Sequence, residues 1–353
     1  MSLAEIVVSN LRCIEHAELA IAPSLTLLWG ENGSGKTSLL EAIFALGRGR
    51  SFRTRNNERL IRYGRDQMRV IGRLREADGR EQTLGFEVSK EGSFGRIRGR
   101  AAESLAELSQ AFPVQVIDPG VHRLVEEGGY RRRRWIDWLV FHVEPHFMET
   151  WVRYTRALRQ RNAALKNRGS DAAAWDPELA RLGETIADAR RRALVQLEPY
   201  WRETVLGLSG LEVELHYLRG WGQEQTLLEA LRASRSRDEL RQLTHSGPHR
   251  ADVAVRLHGR AAREVLSRGQ QKLVAAAMTV APLRLLQSVT QTATTLLLDD
   301  PAAELDVERL ERFIALVAQL RCQLVVTSLQ SGSRLFGPPE RTFRVGQGRV
   351  EPV

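Results

Sequence analysis

Apolar positions in this chain repeat with two different periods, and the switches between them mark its segments. Residues 4–9 read as a strand. Residues 68–76, 82–89 and 94–98 alternate or run apolar, with turns at Asp78-Gly79 and Lys90-Glu91-Gly92, which predicts an antiparallel meander. From 103 to 206 the spacing is mainly helical, with breaks near Gly169-Ser170 and Trp175-Asp176-Pro177. Residues 212–218 and 252–257 return to strand. A long helix follows residue 269, and Pro282 inside it predicts a kink or a break. Residues 24–29 and 294–298 are short, uninterrupted apolar runs, the mark of strands buried on both faces of a parallel sheet. There is no internal repeat and no low-complexity linker.

The first buried run leads into Gly30-Glu31-Asn32-Gly33-Ser34-Gly35-Lys36-Thr37, and a helical pattern begins at Ser38. This strand–loop–helix order fits the phosphate-loop pattern GxxxxGK[ST] in full. The glycines let successive N–H groups turn toward one anion, and the helix start adds its positive end. Lys36 is placed to reach the β- and γ-phosphates of ATP, and the Thr37 hydroxyl to bind Mg²⁺. The second run ends in Asp299-Asp300, at the strand end where open α/β sheets bind ligands. Asp299 is a candidate Mg²⁺ ligand, directly or through water, and Asp300 a candidate catalytic residue that orients or deprotonates the attacking water.

Leu266-Ser267-Arg268-Gly269-Gln270-Gln271-Lys272 lies before those acids and is similar to the signature loop of ABC-type ATPases, with Arg268 in place of a glycine. Ser267 is a good N-cap for the helix that follows. The resemblance implies that Ser267, Arg268, Gly269 and Gln270 act in trans, on the γ-phosphate held by a second subunit of a head-to-tail dimer. Pro301-Ala302-Ala303-Glu304-Leu305-Asp306 resembles the D-loop of the same superfamily. The insert between Lys36 and Ser267 is longer than in transporter subunits. It lacks the sustained heptads of a chromosome-structural head with a coiled-coil arm. The expected architecture is α/β. It is an ABC-type ATPase head, with a phosphate-loop mixed or parallel sheet plus an antiparallel meander, and an inserted, mainly helical lobe without a long coiled coil. The expected boundaries are 1–116 for the N-terminal ATPase part, 117–243 for the basic helical lobe and 244–353 for the C-terminal ATPase part.

The insert carries a more specific resemblance. Residues 112–119 (FPVQVIDP), 128–138 (GGYRRRRWIDW), 141–145 (FHVEP) and 154–162 (YTRALRQRN) resemble the RecF family of bacterial recombination mediators. Gly49-Arg50-Ser51-Phe52-Arg53 and Gly247-Pro248-His249-Arg250 belong to the same resemblance, which covers essentially the whole chain. It implies a DNA replication, recombination and repair role, including the SOS response, at single-strand gaps and single-strand/double-strand junctions. The implied partners are RecO and RecR, with RecA loaded as the outcome. Gln115 is a candidate for the lobe-spanning glutamine that senses Mg²⁺ and γ-phosphate, beside the alternative of a solvent-facing strand residue. His249 and Arg250 have no role that the sequence assigns, and a structural histidine is the default for His249.

Charge agrees with a nucleic-acid partner. The formal net charge is +9, which favours a polyanion. Between Val121 and Arg168 there are eleven Lys or Arg against five Asp or Glu, so much of the excess lies in the insert. Read as a helix, residues 147–166 put Phe147, Trp151, Tyr154, Leu158 and Leu165 on one face and Arg153, Arg156, Arg159 and Lys166 on the other. Those four basic residues, with Arg131 and Arg132, are the candidate DNA contacts. They suit backbone phosphates and therefore no particular sequence. The run Arg131 to Arg134 also has the alternative of pairing with acids at the lobe boundary. Trp135, Trp138 and Trp151 sit at apolar helical spacing and read as core.

Two cysteines, Cys13 and Cys322, match no metal spacing and imply no disulfide framework, so a cytoplasmic location is expected. No signal-peptide pattern opens the chain, and no uninterrupted apolar run reaches membrane length. Asp300 stands where transporters carry Glu, and Thr327-Ser328 stands where they carry a switch histidine. Both features weaken hydrolysis more than binding, which predicts a slow, DNA-stimulated ATPase whose ATP closes a homodimer.

Overall fold

The computed structural model describes residues 2–76, 78–167, 171–290, 293–304 and 306–353. Leu305 of the D-loop segment, Arg168 of the basic segment and the expected break at Gly169-Ser170 lie outside them. Two compact units are present: 1–121 with 290–353, and 122–289.

The first unit holds two six-stranded sheets around one helix. It begins with β1 (Ser2–Leu11), β2 (Ile14–Ala20), β3 (Leu25–Trp29) and α1 (Lys36–Arg48). Next come β4 (Gln67–Arg75), β5 (Glu81–Ser89), β6 (Gly92–Ile97), β7 (Arg100–Ala101), α2 (Ala106–Ala111) and β8 (Val114–Ile117). One sheet, in the order β2-β1-β4-β5-β6-β7, contains the expected meander. Its strands alternate buried and exposed because one face packs on the core.

The second unit contains α3 (Arg123–Glu126), α4 (Gly129–Val143), α5 (Phe147–Lys166), α6 (Asp176–Ser209), β9 (Val213–Leu218), α7 (Leu227–Ala233) and α8 (Arg235–Arg241). It continues with β10 (Asp252–Leu257), β11 (Arg260–Ala261), α9 (Ala262–Val265) and α10 (Arg268–Thr290). The chain then returns to the first unit with β12 (Thr294–Leu298), α11 (Pro301–Glu304), α12 (Val307–Ala318), β13 (Cys322–Ser328), β14 (Arg341–Gly346) and β15 (Arg349–Pro352). These strands complete the second sheet of the first unit, in the order β15-β14-β3-β13-β12-β8. Strands β14, β3, β13, β12 and β8 run parallel, and β15 closes the edge as an antiparallel partner of β14.

Helix α1 is buried on nearly every side. Leu39, Leu40, Ile43 and Phe44 join Ile6, Val8, Met68 and Phe86 of one sheet and Leu28, Leu297 and Val325 of the other in a single core cluster. A helix rich in apolar residues needs such cover, and burying it fixes the phosphate loop at its N-terminus.

The second unit packs α4, α5, α6 and α7 with the small sheet β11-β10-β9. The compact units divide differently from the expected boundaries, because residues 244–289 group with the helical lobe. Side-chain anchoring explains the difference. The Trp135 indole donates to the Met278 carbonyl, the Arg284 guanidinium to Thr204 and the Tyr200 hydroxyl to Ser288, tying α10 to α4 and α6. Helix α10 is long and apolar enough to cross a membrane by composition, yet it is mostly buried inside the protein. It also continues through Pro282 where a kink or break was expected. Likewise α6 starts at Asp176 directly after a short 3₁₀ turn at Ala172–Trp175, with Pro177 in its first turn, where proline is tolerated.

Candidate functional site

The phosphate loop joins the end of β3 to the start of α1. A Cβ on Gly30 would collide with the Val345 carbonyl oxygen, so only glycine lets the strand pass there. Gly35 caps α1 with φ of 117°, a left-handed conformation that suits glycine. Glu31, Asn32 and Gly33 are exposed at the tip, while Ser34 and Lys36 are buried. The Lys36 ammonium donates to the carbonyls of Gly30 at 2.6 Å and Glu31 at 2.8 Å. Burial pushes its pKa below the ordinary lysine value, against the opposing pull of the Asp300 and Asp299 carboxylates. The Ser34 hydroxyl is buried without a hydrogen-bond partner among the described residues. An orphaned hydroxyl inside a turn of N–H groups is a donor set for an anion.

Across from the loop, β12 delivers its two carboxylates. The Thr37 hydroxyl lies 2.9 Å from Asp299 Oδ2 and 3.1 Å from Oδ1. From β13, the Thr327 hydroxyl donates to Asp299 Oδ1 at 2.8 Å and accepts the Asp300 N–H at 2.9 Å. The Asp299 N–H donates to the Ile117 carbonyl of β8 at 2.9 Å. Hydroxyls from α1 and β13 thus bond the buried Asp299 carboxylate, while β8 holds the main chain of the same residue. One hydroxyl and one carboxylate form the sparse oxygen set with which Mg²⁺ sits beside phosphates and keeps its waters. Among the described residues no cluster of three or more His, Cys, Asp or Glu offers a denser metal cage.

Gln115 is not brought to this place. Its β8 position pairs with Leu296, three residues before Asp299, which sets it back by about 10 Å along the strand. A glutamine side chain does not span that distance, and the residue level with the carboxylates is at the end of β8. The correction follows from register, which the sequence of β8 alone does not reveal.

The signature segment begins α10. The Ser267 N–H donates to Gln270 Oε1 at 2.9 Å, and the Gln270 N–H donates to Ser267 Oγ at 3.3 Å. This reciprocal cap satisfies two terminal donors and occupies the Gln270 side chain within its own helix. Ser267 and Arg268 are exposed, and Gly269 is half-buried beside them.

The candidate DNA contacts separate into two groups. Arg132 is buried, and its guanidinium makes a two-pronged pair with Asp252 and donates to the carbonyls of Leu124, Val125 and Glu127. It is a structural residue, which corrects its assignment as a DNA contact. Arg131 pairs with Glu127 at 2.6 Å, and Arg153 with Glu178 at 2.8 Å. Arg156, Arg159 and Lys166 are exposed along α5. Trp135 and Trp138 are buried as expected, and Trp151 stacks between Phe147 and Tyr154.

Periodicity also left a buried cation unread. Arg161 stands seven residues after Tyr154 on the apolar face of α5, and its side chain is 1% exposed. It pairs with Asp176 and Asp238, each at 2.8 Å, and donates to the Thr244 hydroxyl. A nearby network gives His249 its place. Its Nε2–H donates to the Thr244 carbonyl at 3.0 Å, which leaves Nδ1 to accept from the Tyr154 hydroxyl at 2.6 Å. Burial lowers its pKa to about 4, so the ring is neutral at physiological pH.

The family described as RecF/RecN/SMC N terminal domain matches residues 2–346. The chain is 39% identical to the DNA replication and repair protein RecF of Pseudomonas syringae pv. tomato, covering 99% of this chain and 98% of that protein. It is 40% identical to the protein of the same name from Pseudomonas aeruginosa, covering 99% and 97%. A solved structure of the recombination mediator protein RecF–ATP in the RecFOR pathway superposes with a TM-score of 0.90 at 27% identity, covering 100% of this chain and 97% of that one. An Smc head bound to the C-winged helix domain of ScpA aligns with a TM-score of 0.59 at 16% identity, a likeness of fold alone.

Proposed function

Because this chain belongs to the RecF family, within the wider RecF/RecN/SMC group of ATPases, we propose that its ATP site times a DNA clamp used in replication and recombinational repair. The carrying observation is the meeting of Thr37, Asp299, Asp300 and Thr327 at one strand end, beside the phosphate loop.

In this reading N–H groups of the phosphate loop after Gly30, whose own N–H donates to the Ser328 carbonyl, cradle the β- and γ-phosphates, and Lys36 adds its charge to them. Thr37 and Asp299 would hold Mg²⁺, which supplies further neutralisation of the phosphate oxygens. Asp300 orients the attacking water or takes its proton. Ser267 and Gly269 of a second copy close over the γ-phosphate with the positive end of their helix. Arg268 flanks that contact, and Gln270 keeps the serine in place.

Closure of the dimer brings two helical lobes to one duplex near a single-strand gap or junction. Arg156, Arg159 and Lys166 then contact backbone phosphates, with Arg131 and Arg153 exchanging their carboxylate partners for DNA. Asp in place of Glu, and Thr327-Ser328 in place of a charged histidine, support slow hydrolysis that DNA accelerates. RecO and RecR are the proposed partners, and loading of RecA the proposed outcome.

Light scattering at micromolar protein tests the clamp. Monomers without nucleotide and dimers with Mg-ATP are expected, with gapped DNA bound more tightly than single strands when ATP is present. A monomer under every condition, DNA included, rules the clamp out.

A further inference from the structure

Thr327 is 1% exposed and lies at the end of β13, on the other side of β12 from the strand β8 that also holds Asp299. Its hydroxyl has one proton and donates it to Asp299 Oδ1 at 2.8 Å. Its lone pair accepts the backbone N–H of Asp300 at 2.9 Å. A single hydroxyl is therefore bonded to both consecutive acids, through the side chain of one and the main chain of the other.

The backbone at Asp300 gives this bond a purpose. Asp300 has φ of 47°, the left-handed region that non-glycine residues seldom occupy. The chain turns there from β12 into α11, and that turn decides where the Asp300 carboxylate points. Such a conformation persists where surrounding bonds hold it. The Thr327 hydroxyl supplies one, on the N–H of the turned residue itself. Register places it: Val326 pairs with Leu298, so Thr327 is level with Asp299.

We infer that Thr327 is a positioning residue for ATP hydrolysis, locking the Asp299 carboxylate and the left-handed turn at Asp300 in one arrangement through its hydroxyl. The inference rests on the proposed hydrolytic role of Asp300. Thr327 touches neither nucleotide nor water in this scheme. Removing its hydroxyl takes this bond from the Asp300 N–H and leaves the phosphate loop, with its buried helix, intact. The effect therefore falls on turnover and spares ATP binding.

Steady-state hydrolysis with DNA present, and binding of a fluorescent ATP analogue, test this in Thr327→Val, Thr327→Ser and Asp300→Asn. Thr327→Val should lower kcat by about 10-fold or more, with ATP affinity within about 3-fold of the parent. Thr327→Ser, which keeps the hydroxyl, should retain turnover within about 3-fold. Should the valine variant fold poorly, Thr327→Ala must show the same split. Equal loss in the serine and valine variants would assign the residue to packing and overturn the inference. Full turnover in Thr327→Val or Thr327→Ala beside an inactive Asp300→Asn would overturn it while leaving the catalytic reading standing. Full turnover in Asp300→Asn would remove both.

Discussion

The Thr37 hydroxyl and the Asp299 carboxylate meet at 2.9 Å although they lie 262 residues apart in sequence. One belongs to the first turn of the helix after the phosphate loop, the other to the end of a strand in the last quarter of the chain. Mutating either should injure Mg²⁺-dependent chemistry more than folding, because the helix is held by its apolar faces. Asp299→Asn is expected to lower DNA-dependent ATP turnover by about 100-fold. A magnesium titration of turnover checks it, and a curve matching the parent would remove Asp299 from the metal site.

Lys36→Met should abolish ATP-dependent DNA binding. The ammonium is held by the carbonyls of Gly30 and Glu31, so its loss removes charge from the phosphate cradle without emptying a hydrophobic core. Gel shifts with gapped DNA, with and without ATP, read the result. A shift equal to the parent's would break the proposed link between nucleotide and DNA.

The arginines of the lobe should fail in two distinct ways. Arg156→Glu with Arg159→Glu is expected to weaken DNA binding at every sequence. It should also flatten the salt dependence by roughly 0.9 in log–log slope for each phosphate that the variant no longer neutralises. Arg132→Ala should instead cost about 1–3 kcal/mol of stability, because half-buried Asp252 loses its two-pronged partner and the carbonyls of Leu124, Val125 and Glu127 lose their donor. Urea unfolding and salt-titrated DNA binding, run on both variants, separate the two effects.

His249 should make stability depend on pH. Burial lowers its folded-state pKa to about 4, whereas an unfolded histidine titrates near 6.5. Between those values the unfolded chain holds more protons. Stability is therefore fully present above about pH 6.5 and declines as pH falls toward 4, by at most about 3 kcal/mol. His249→Gln should remove this slope. Urea midpoints of the two proteins at about pH 7 and pH 4.5 check it, and an unchanged difference between parent and variant would exclude His249 as the source.

Local pattern carried the ATP site far. The loop from Gly30 to Thr37 needs particular residues at particular steps, so its chemistry is written in eight consecutive positions. Ser267 was readable as a helix cap for the same reason, since its partner Gln270 is three residues away. The place of Gln115 was not readable in the sequence, because it depends on register against β12, and a four-residue strand contains no information about its neighbour's offset.

The basic lobe shows the same division. Helical spacing on α5 correctly separated buried Tyr154 and Leu165 from exposed Arg156 and Arg159. It did not mark Arg161 as buried, because the carboxylates that make burial tolerable, Asp176 and Asp238, come from later segments. Arg132 looked like its neighbours in the run from Arg131 to Arg134 until Asp252 was placed beside it.

The sequence by itself determined the order of the elements, the phosphate loop, the two terminal acids and the excess of positive charge, since each depends on residues close together in the chain. Tertiary structure alone decided which charges are spent on ion pairs. It also decided that Gln115 lies back from the carboxylates and that one threonine hydroxyl bonds to both Asp299 and Asp300. Those outcomes turn on pairings between distant segments, where a shift of one residue in register, or one carboxylate brought near, reverses a side chain's role.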